Sequence, residues 1–274
     1  MLIDTHCHIY ELSDIKTCIN NMKGNIMIVS SASPNEIDEV IKLCETYENV
    51  YGTIGIHPEY ASTYTEEDIN KIIHNIKNPK IVGIGEIGLD YHYTKENKEK
   101  QKELFIKQIH IANIYHKTIV VHSRDASEDT YNILAEEKNQ YTLCDIHCFS
   151  GSLEMAKKFI KLNTVLGIGG VLTFKNEKKL KDIVKELPIE NFVLETDSPY
   201  LAPEPFRGKE NEPANTKYVA LKIAELKGIK YTEVLEITSQ NAIRQFDLPI
   251  KLWYNLFGFN FEIWGEICKS FCYK

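Results

Sequence analysis

Positive charge is the first thing this 274-residue chain is short of: 32 lysines and arginines face 39 aspartates and glutamates, for a formal net charge of -7. That balance excludes a nucleic-acid binder that spreads a broad basic surface over phosphates, so any phosphate affinity has to be local. Paired cysteines are also missing. The seven cysteines are odd in number, irregularly spaced and set mostly in apolar runs, with no CxxC frame. This excludes a disulfide scaffold or a zinc finger and reads as reduced thiols. No apolar run approaches the roughly 20 residues that span a bilayer. The opening Met-Leu-Ile-Asp-Thr-His has no basic segment followed by an apolar core and a cleavage site. A soluble, cytoplasmic protein with no integral membrane association is expected. Internal repeats, low-complexity tracts and a linker before Leu248 are absent as well, so one large domain is expected.

What is present is a regular alternation. Short β-branched runs at 2–6, 25–30, 50–56, 81–86, 118–122, 142–147, 164–168 and 192–197 are separated by longer amphipathic stretches. Segment 98–115, for example, places Leu104, Gln108, Ile111 and Tyr115 at helical spacing and leaves Glu99, Lys100 and Lys102 for solvent. Eight strands with connecting helices admit a closed (β/α)8 TIM barrel or an open doubly wound sheet. Polar residues decide between them. They fall at the C-terminal ends of several different runs, where a barrel gathers its active site, whereas an open sheet would collect them at one switch point.

His6 and His8 flank Cys7 on the first run. A strand's two-residue period points both imidazoles to one side and makes a two-nitrogen chelate. Asp4 shares that parity and is expected to hold a ligand histidine in its tautomer. Taken alone, an HxH is as readily a pair of ordinary histidines as a metal chelate. Glu86, His122, His147 and Asp197 end other runs. A buried unpaired carboxylate costs several kcal/mol, so six such groups meeting at one mouth are hard to satisfy except with metal. Four histidines, one aspartate and one glutamate suffice for two sites, with Glu86 placed to bridge them.

The motifs Ile-Asp-Thr-His-Cys-His at 3–8, Gly-Ile-His-Pro at 55–58, Gly-Glu-Ile-Gly-Leu-Asp at 85–90, Val-His-Ser-Arg-Asp-Ala at 121–126, His-Cys-Phe-Ser-Gly at 147–151, Glu-Thr-Asp-Ser-Pro-Tyr-Leu-Ala-Pro at 195–203 and Asn-Glu-Pro-Ala-Asn at 211–215 follow in order. Through them the chain resembles the TatD family of metal-dependent deoxyribonucleases, within the wider amidohydrolase-like barrels, over roughly residues 1–248. The resemblance implies two divalent ions, one among His6, His8, Glu86 and Asp197 and one among Glu86, His122 and His147. Mg, Mn and Zn all suit such ligands. It also implies phosphodiester hydrolysis, commonly at DNA ends, with DNA that is single-stranded or end-exposed as the partner. A water bridging the ions would attack phosphorus, and Asp197 is expected to orient it and accept its proton, with Glu86 as the second catalytic group.

Arg124, His57 and Arg207 are the expected substrate contacts. For Arg124 the competing reading is a salt bridge to Asp125, and for His57 an ordinary loop histidine. The second basic residue usual in the family after Arg207-Gly208 is replaced by Glu210, which removes a positive charge from the nucleic-acid side. Tyr91, Tyr93 and Tyr200 suit base stacking, but packing is the favoured reading. Residues 249–274 extend beyond the family's last helix, and Ile263, Ile267 and Phe271 recur every four residues. An extra helix packed on the barrel is favoured over contact with a partner or a membrane surface. Two other functions compete with a nuclease. An amidohydrolase-like enzyme would cleave a carbonyl ester, lactone or amide, but many such barrels bridge their metals with a carboxylated lysine where Glu86 stands here. A non-catalytic binding protein would have no chemical need for the complete ligand set.

Overall fold

The computed structural model describes residues 1–92 and 96–250. Tyr93 and nearly all of the C-terminal extension lie outside the described residues. Eight strands run β1 (Ile3–Cys7), β2 (Ile26–Ser30), β3 (Val50–Thr53), β4 (Ile81–Asp90), β5 (Thr118–Arg124), β6 (Cys144–Ile146), β7 (Thr164–Ile168) and β8 (Phe192–Leu194). They form one sheet in sequence order, and each neighbouring pair is parallel. Helices α1 (Ile15–Asn21), α2 (Ile37–Thr46), α3 (Glu66–Asn75), α4 (Lys98–Tyr115), α5 (Ser127–Glu137), α6 (Leu153–Lys161), α7 (Lys179–Glu186) and α8 (Thr216–Lys227) each follow a strand, and α9 (Tyr231–Phe246) comes last. The chain is a (β/α)8 TIM barrel, as the alternation predicts.

The strands are buried on both faces, so their sequences are nearly continuous apolar runs with little alternation. One set of strand residues, Ile3, Ile28, Tyr51, Val82, Val120, Val165 and Val193, fills the lower barrel interior and packs on Ala242 and Phe246 of α9. Helix α9 therefore plugs the N-terminal end of the barrel. Two residues further along, six of these seven positions lead to Thr5, Ser30, Thr53, His122, Gly167 and Glu195, and the seventh, on β4, leads to Ile84. The interior thus changes from apolar to polar as it rises toward the mouth.

Several strands stop short of the sequence expectation. Strand β8 ends at Leu194, and Asp197 lies beyond it with φ 56. That left-handed conformation cannot continue a strand. Strand β3 ends at Thr53 and not at Ile56, because the Ile56 backbone pairs with a side chain. Ile56 N–H donates to Gln108 Oε1 at 2.8 Å, and Gln108 Nε2 donates to the Ile56 carbonyl at 3.0 Å. Two helical turns earlier, Gln101 makes the same pair of bonds to Asp90, both at 2.9 Å. The fully buried glutamines of α4 thus hold the ends of β3 and β4 as a neighbouring strand would. Strand β4 extends past Glu86 to Asp90 by way of Gly88. Its φ is +138, and a Cβ there would lie 2.0 Å from the His122 carbonyl oxygen, so only glycine fits.

Replacing Gln108 with Leu keeps the volume but leaves the buried Ile56 N–H and C=O without partners. At about 1–3 kcal/mol per buried polar group, urea denaturation of Gln108→Leu is expected to show a loss of about 2–5 kcal/mol.

Candidate metal centre

The barrel closes at the seam between β1 and β8, and three candidate ligands lie on that seam. Few backbone bonds join its edges. Asp197 N–H donates to the His6 carbonyl at 3.0 Å, and His8 N–H donates to the Ser198 carbonyl at 2.7 Å. Asp4 reinforces them from below. Its buried carboxylate accepts Thr196 N–H at 3.0 Å, the Thr196 hydroxyl at 2.6 Å and His6 N–H at 3.3 Å. This corrects the expectation that Asp4 orients a ligand imidazole: it holds the backbone that carries the ligands. Ser30 orients the rings instead. Its hydroxyl lies 3.1 Å from His6 Nδ1, and its carbonyl accepts from His8 Nδ1 at 2.9 Å. With Nδ1–H donating to Ser30, His8 turns Nε2 to the mouth, where it offers a lone pair once its second proton is lost. His8 itself is past the end of β1, in the entry to a 3-10 turn, so strand periodicity alone does not align the two imidazoles.

Four atoms converge above the seam. His6 Nε2 and His8 Nε2 are 3.1 Å apart. Glu86 Oε2 lies 3.5 Å from the first and 3.6 Å from the second, and Asp197 Oδ1 lies 3.6 Å from each. The nitrogen–oxygen separations exceed hydrogen-bonding distance. They are in the range that separates neighbouring ligands of one ion held about 2.0–2.2 Å from each. The donor chemistry and its spacing therefore fit a divalent ion.

The other oxygen of Glu86 faces a second group. Its Oε1 lies 2.8 Å from His122 Nδ1 and 2.8 Å from His147 Nε2, which are 3.3 Å from each other. Asp90 Oδ2 lies 3.1 Å from His122 Nε2, the carboxylate–imidazole arrangement that fixes a metal-ligating ring. Among the described residues, clusters of closely spaced donor atoms also pair His147 with His6 and Glu86, and His57 with Asp90 and His122. All six sequence-predicted donors are thus brought together. Asp90 is the neighbour that sequence reading missed, although its position four residues after Glu86 on one strand is a usable signal.

Glu86 and Asp197 keep their charge despite burial. Burial raises the pKa of Glu86, but His147, His57 and His122 outweigh it and hold the carboxyl well below its usual range. Burial likewise raises Asp197, and His8 and His6 bring it net below the ordinary value. Burial pushes His6 down to about 4, helped by the nearby His147. For His8 burial is outweighed by Asp197 and Glu86, and for His122 by Asp90 and Glu86, so each rises to about 9. Protons on these two rings balance charge that a dication would balance on binding.

His8, Glu86, His122, His147 and Asp197 line a cavity of about 630 Å³ that also meets Arg124, His57 and Tyr200, while His6 is fully buried and outside the lining. Asp125, the competing partner for Arg124, pairs with His92 at 3.0 Å. His57 Nδ1 accepts Glu59 N–H at 3.3 Å, which leaves the ring proton on Nε2, 3.7 Å from Glu86 Oε1. Arg207 lies outside the cavity lining, exposed, with its guanidinium 4.2 Å from the centre of the Phe174 ring. Glu210 is turned to the other side of the rim, where it accepts Ser13 N–H and the Ser13 hydroxyl at 3.2 and 2.7 Å. Tyr91 is buried and donates to Asp129 at 2.8 Å, so it packs. Tyr200 is 53% exposed at the mouth and donates to Glu11 at 2.5 Å, where packing alone was expected. The described cysteines are all free thiols, and no described helix is long and apolar enough to cross a membrane.

Comparison with known proteins gives the same picture. The family model for TatD related DNase matches residues 3–247. The uncharacterized metal-dependent hydrolase YabD of Bacillus subtilis (strain 168) is 43% identical over 254 residues, covering 90% of this chain and 99% of YabD. The uncharacterized metal-dependent hydrolase YcfH of Escherichia coli (strain K12) is 36% identical over 261 residues, covering 90% of this chain and 96% of YcfH. Among solved structures, YJJV, a TatD homolog from Escherichia coli K12, superposes with a TM-score of 0.84 at 27% identity, covering 90% of this chain and 98% of that one. With the family match running through every donor-bearing strand, the chain belongs to the TatD-related DNase family and is a metal-dependent hydrolase.

Proposed function

We propose that this hydrolase cleaves phosphodiesters with two divalent ions and acts as a deoxyribonuclease on single-stranded or exposed DNA ends. The observation that carries the reading is the divided carboxylate of Glu86, with Oε2 toward His6 and His8 and Oε1 toward His122 and His147. His6, His8, Glu86 and Asp197 would hold one ion, and Glu86, His122 and His147 the other. When bound, Mg, Mn or Zn would acidify water and offset charge on the phosphoryl oxygens.

The remaining work falls to the chain's own side chains. Asp197 is ionised and borders the cavity, which suits it to accept the proton of the attacking water. Arg124 borders the cavity, and its guanidinium is of the kind that suits bidentate contact with a phosphate. Burial pushes the pKa of His57 down to about 4, so its ring is neutral at physiological pH and donates through Nε2–H.

The rim supports action at ends. Glu11, Glu36 and Glu59 border the cavity on the β1–β3 side. Exposed Lys178, Lys179, Arg207 and Lys209 lie on the β7–β8 side, and Lys179 donates to the Ser150 carbonyl at the cavity edge at 3.0 Å. A polyanion is attracted over the basic side and repelled from the acidic wall, so a strand reaches the donors by its end.

Metal-loaded protein, with a chelated control, is expected to shorten end-labelled single-stranded DNA stepwise. Turnover of carbonyl esters or lactones with no cleavage of any DNA would instead support the amidohydrolase-like reading. Glu86→Ala is expected to keep its fold by circular dichroism and lose more than about 100-fold in rate. Lys179→Ala is expected to lower the slope of log K against log salt for oligonucleotides by about 1, while turnover of a small aryl phosphodiester is unchanged. Because His8 and His122 must each give up a proton held with a pKa of about 9, metal affinity should rise from pH 6 to pH 9. Calorimetry in buffers of different ionisation enthalpy counts the protons released, and a pH-independent affinity would refute the assignment of these two rings.

A further inference from the structure

Three of the four histidines in the donor set are oriented through their second ring nitrogen. His6 Nδ1 meets the Ser30 hydroxyl, His8 Nδ1 the Ser30 carbonyl and His122 Nε2 the Asp90 carboxylate. His147 differs. Its buried Nδ1 has no hydrogen-bond partner among the described residues, while its Nε2 lies 2.8 Å from Glu86 Oε1. Its ring must be aimed some other way.

The backbone immediately after it supplies one. Cys148 has φ 46, a left-handed conformation that costs a side-chain-bearing residue about 1–2 kcal/mol unless its surroundings hold it. The Cys148 N–H donates to Glu195 Oε1 at 2.6 Å. Glu195 is fully buried and stands just past β8, so this bond reaches the end of β6 across the intervening strand β7. It crosses at Gly167. A Cβ at that position would lie 2.2 Å from Glu195 Oε2, 2.8 Å from its Cδ and 3.0 Å from His147 Cα. A side chain there and the Glu195 carboxyl cannot share the space, and Gly167 leaves it to the carboxyl. One carboxyl oxygen of Glu195 is thus taken up by the Cys148 peptide N–H.

We propose that Glu195 is the positioning residue for His147: by holding the His147–Cys148 peptide through the gap at Gly167, it aims His147 Nε2 at the second donor set. The inference rests on the two-ion reading of the site. It separates the two sets, because His6, His8 and Asp197 take their orientation from the seam and from Ser30, whereas His147 takes its orientation from Glu195.

Titration of the metal-free full chain with Mn²⁺, followed by calorimetry, tests it. The wild type is expected to bind two ions. Glu195→Ala is expected to weaken one binding event by about 10–100-fold and leave the other within about twofold. Gly167→Ala should reproduce that loss with Glu195 still in the sequence, because the new Cβ displaces its carboxyl. Glu195→Gln keeps an acceptor for Cys148 N–H and should restore both events. Melting in excess chelator separates folding from metal binding, and if Glu195→Ala does not fold, Gly167→Ala and Glu195→Gln decide the matter. Two events of wild-type strength in both Glu195→Ala and Gly167→Ala would overturn the role of Glu195 alone. Equal weakening of both events, or a Gln variant as impaired as Ala, would also overturn it. A wild type that binds fewer than two ions would overturn the two-ion reading itself, before any variant is compared.

Discussion

The constraint on which the rest depends is the crowding of ionisable groups in a mouth that water enters from one side only. Glu86, Asp197 and four imidazoles lie within a few ångströms of one another, and His6 is fully buried. Neutral imidazoles cannot fully satisfy carboxylates held 3.5–3.6 Å away. Metal-free, the chain meets part of that demand with protons on His8 and His122. The same donors would hold a divalent ion, whose charge would meet that demand directly and couple binding to folding.

Several of these groups are braced by residues that are not themselves among the sequence-predicted donors. Asp4 ties β1 to the segment after β8, Ser30 turns two rings, Asp90 turns a third, and Gln101 and Gln108 hold strand ends from the buried face of α4. These polar groups are buried and almost wholly paired. A fault in any of them leaves an unsatisfied partner in a low-dielectric interior, where it is most costly. The plug formed by α9 has the simpler task of keeping the lower barrel apolar and dry.

Net acidity and a polyanionic substrate are reconciled by where the charges sit. The cavity wall next to β1–β3 is acidic, whereas exposed Lys178, Lys179, Arg207 and Lys209 lie on the β7–β8 side. A global charge of -7 does not register that division. Glu210 illustrates it. In the sequence it looks like a lost contact on the nucleic-acid side, but its carboxylate is turned to Ser13 across the rim.

Barrel architecture and the six donors were legible in the sequence because both repeat a local rule. Apolar runs mark strands buried on two faces, and a polar residue at the end of such a run must find a partner at the mouth. The helix expected at 98–115 is α4. Contacts that no local rule generates are not legible in the chain. Asp4 shares parity with His6, yet its carboxylate takes the backbone of a segment 192 residues away. Gln108 reads as one more position on a helical face, yet it completes the end of a strand. Sequence by itself determined which residue types reach the barrel mouth, since strand period and chain order settle that. Only the tertiary structure decided which of them brace which, because closing the barrel brings β1 against β8 and sets Gly167 beside Glu195, contacts that no periodicity in the chain records.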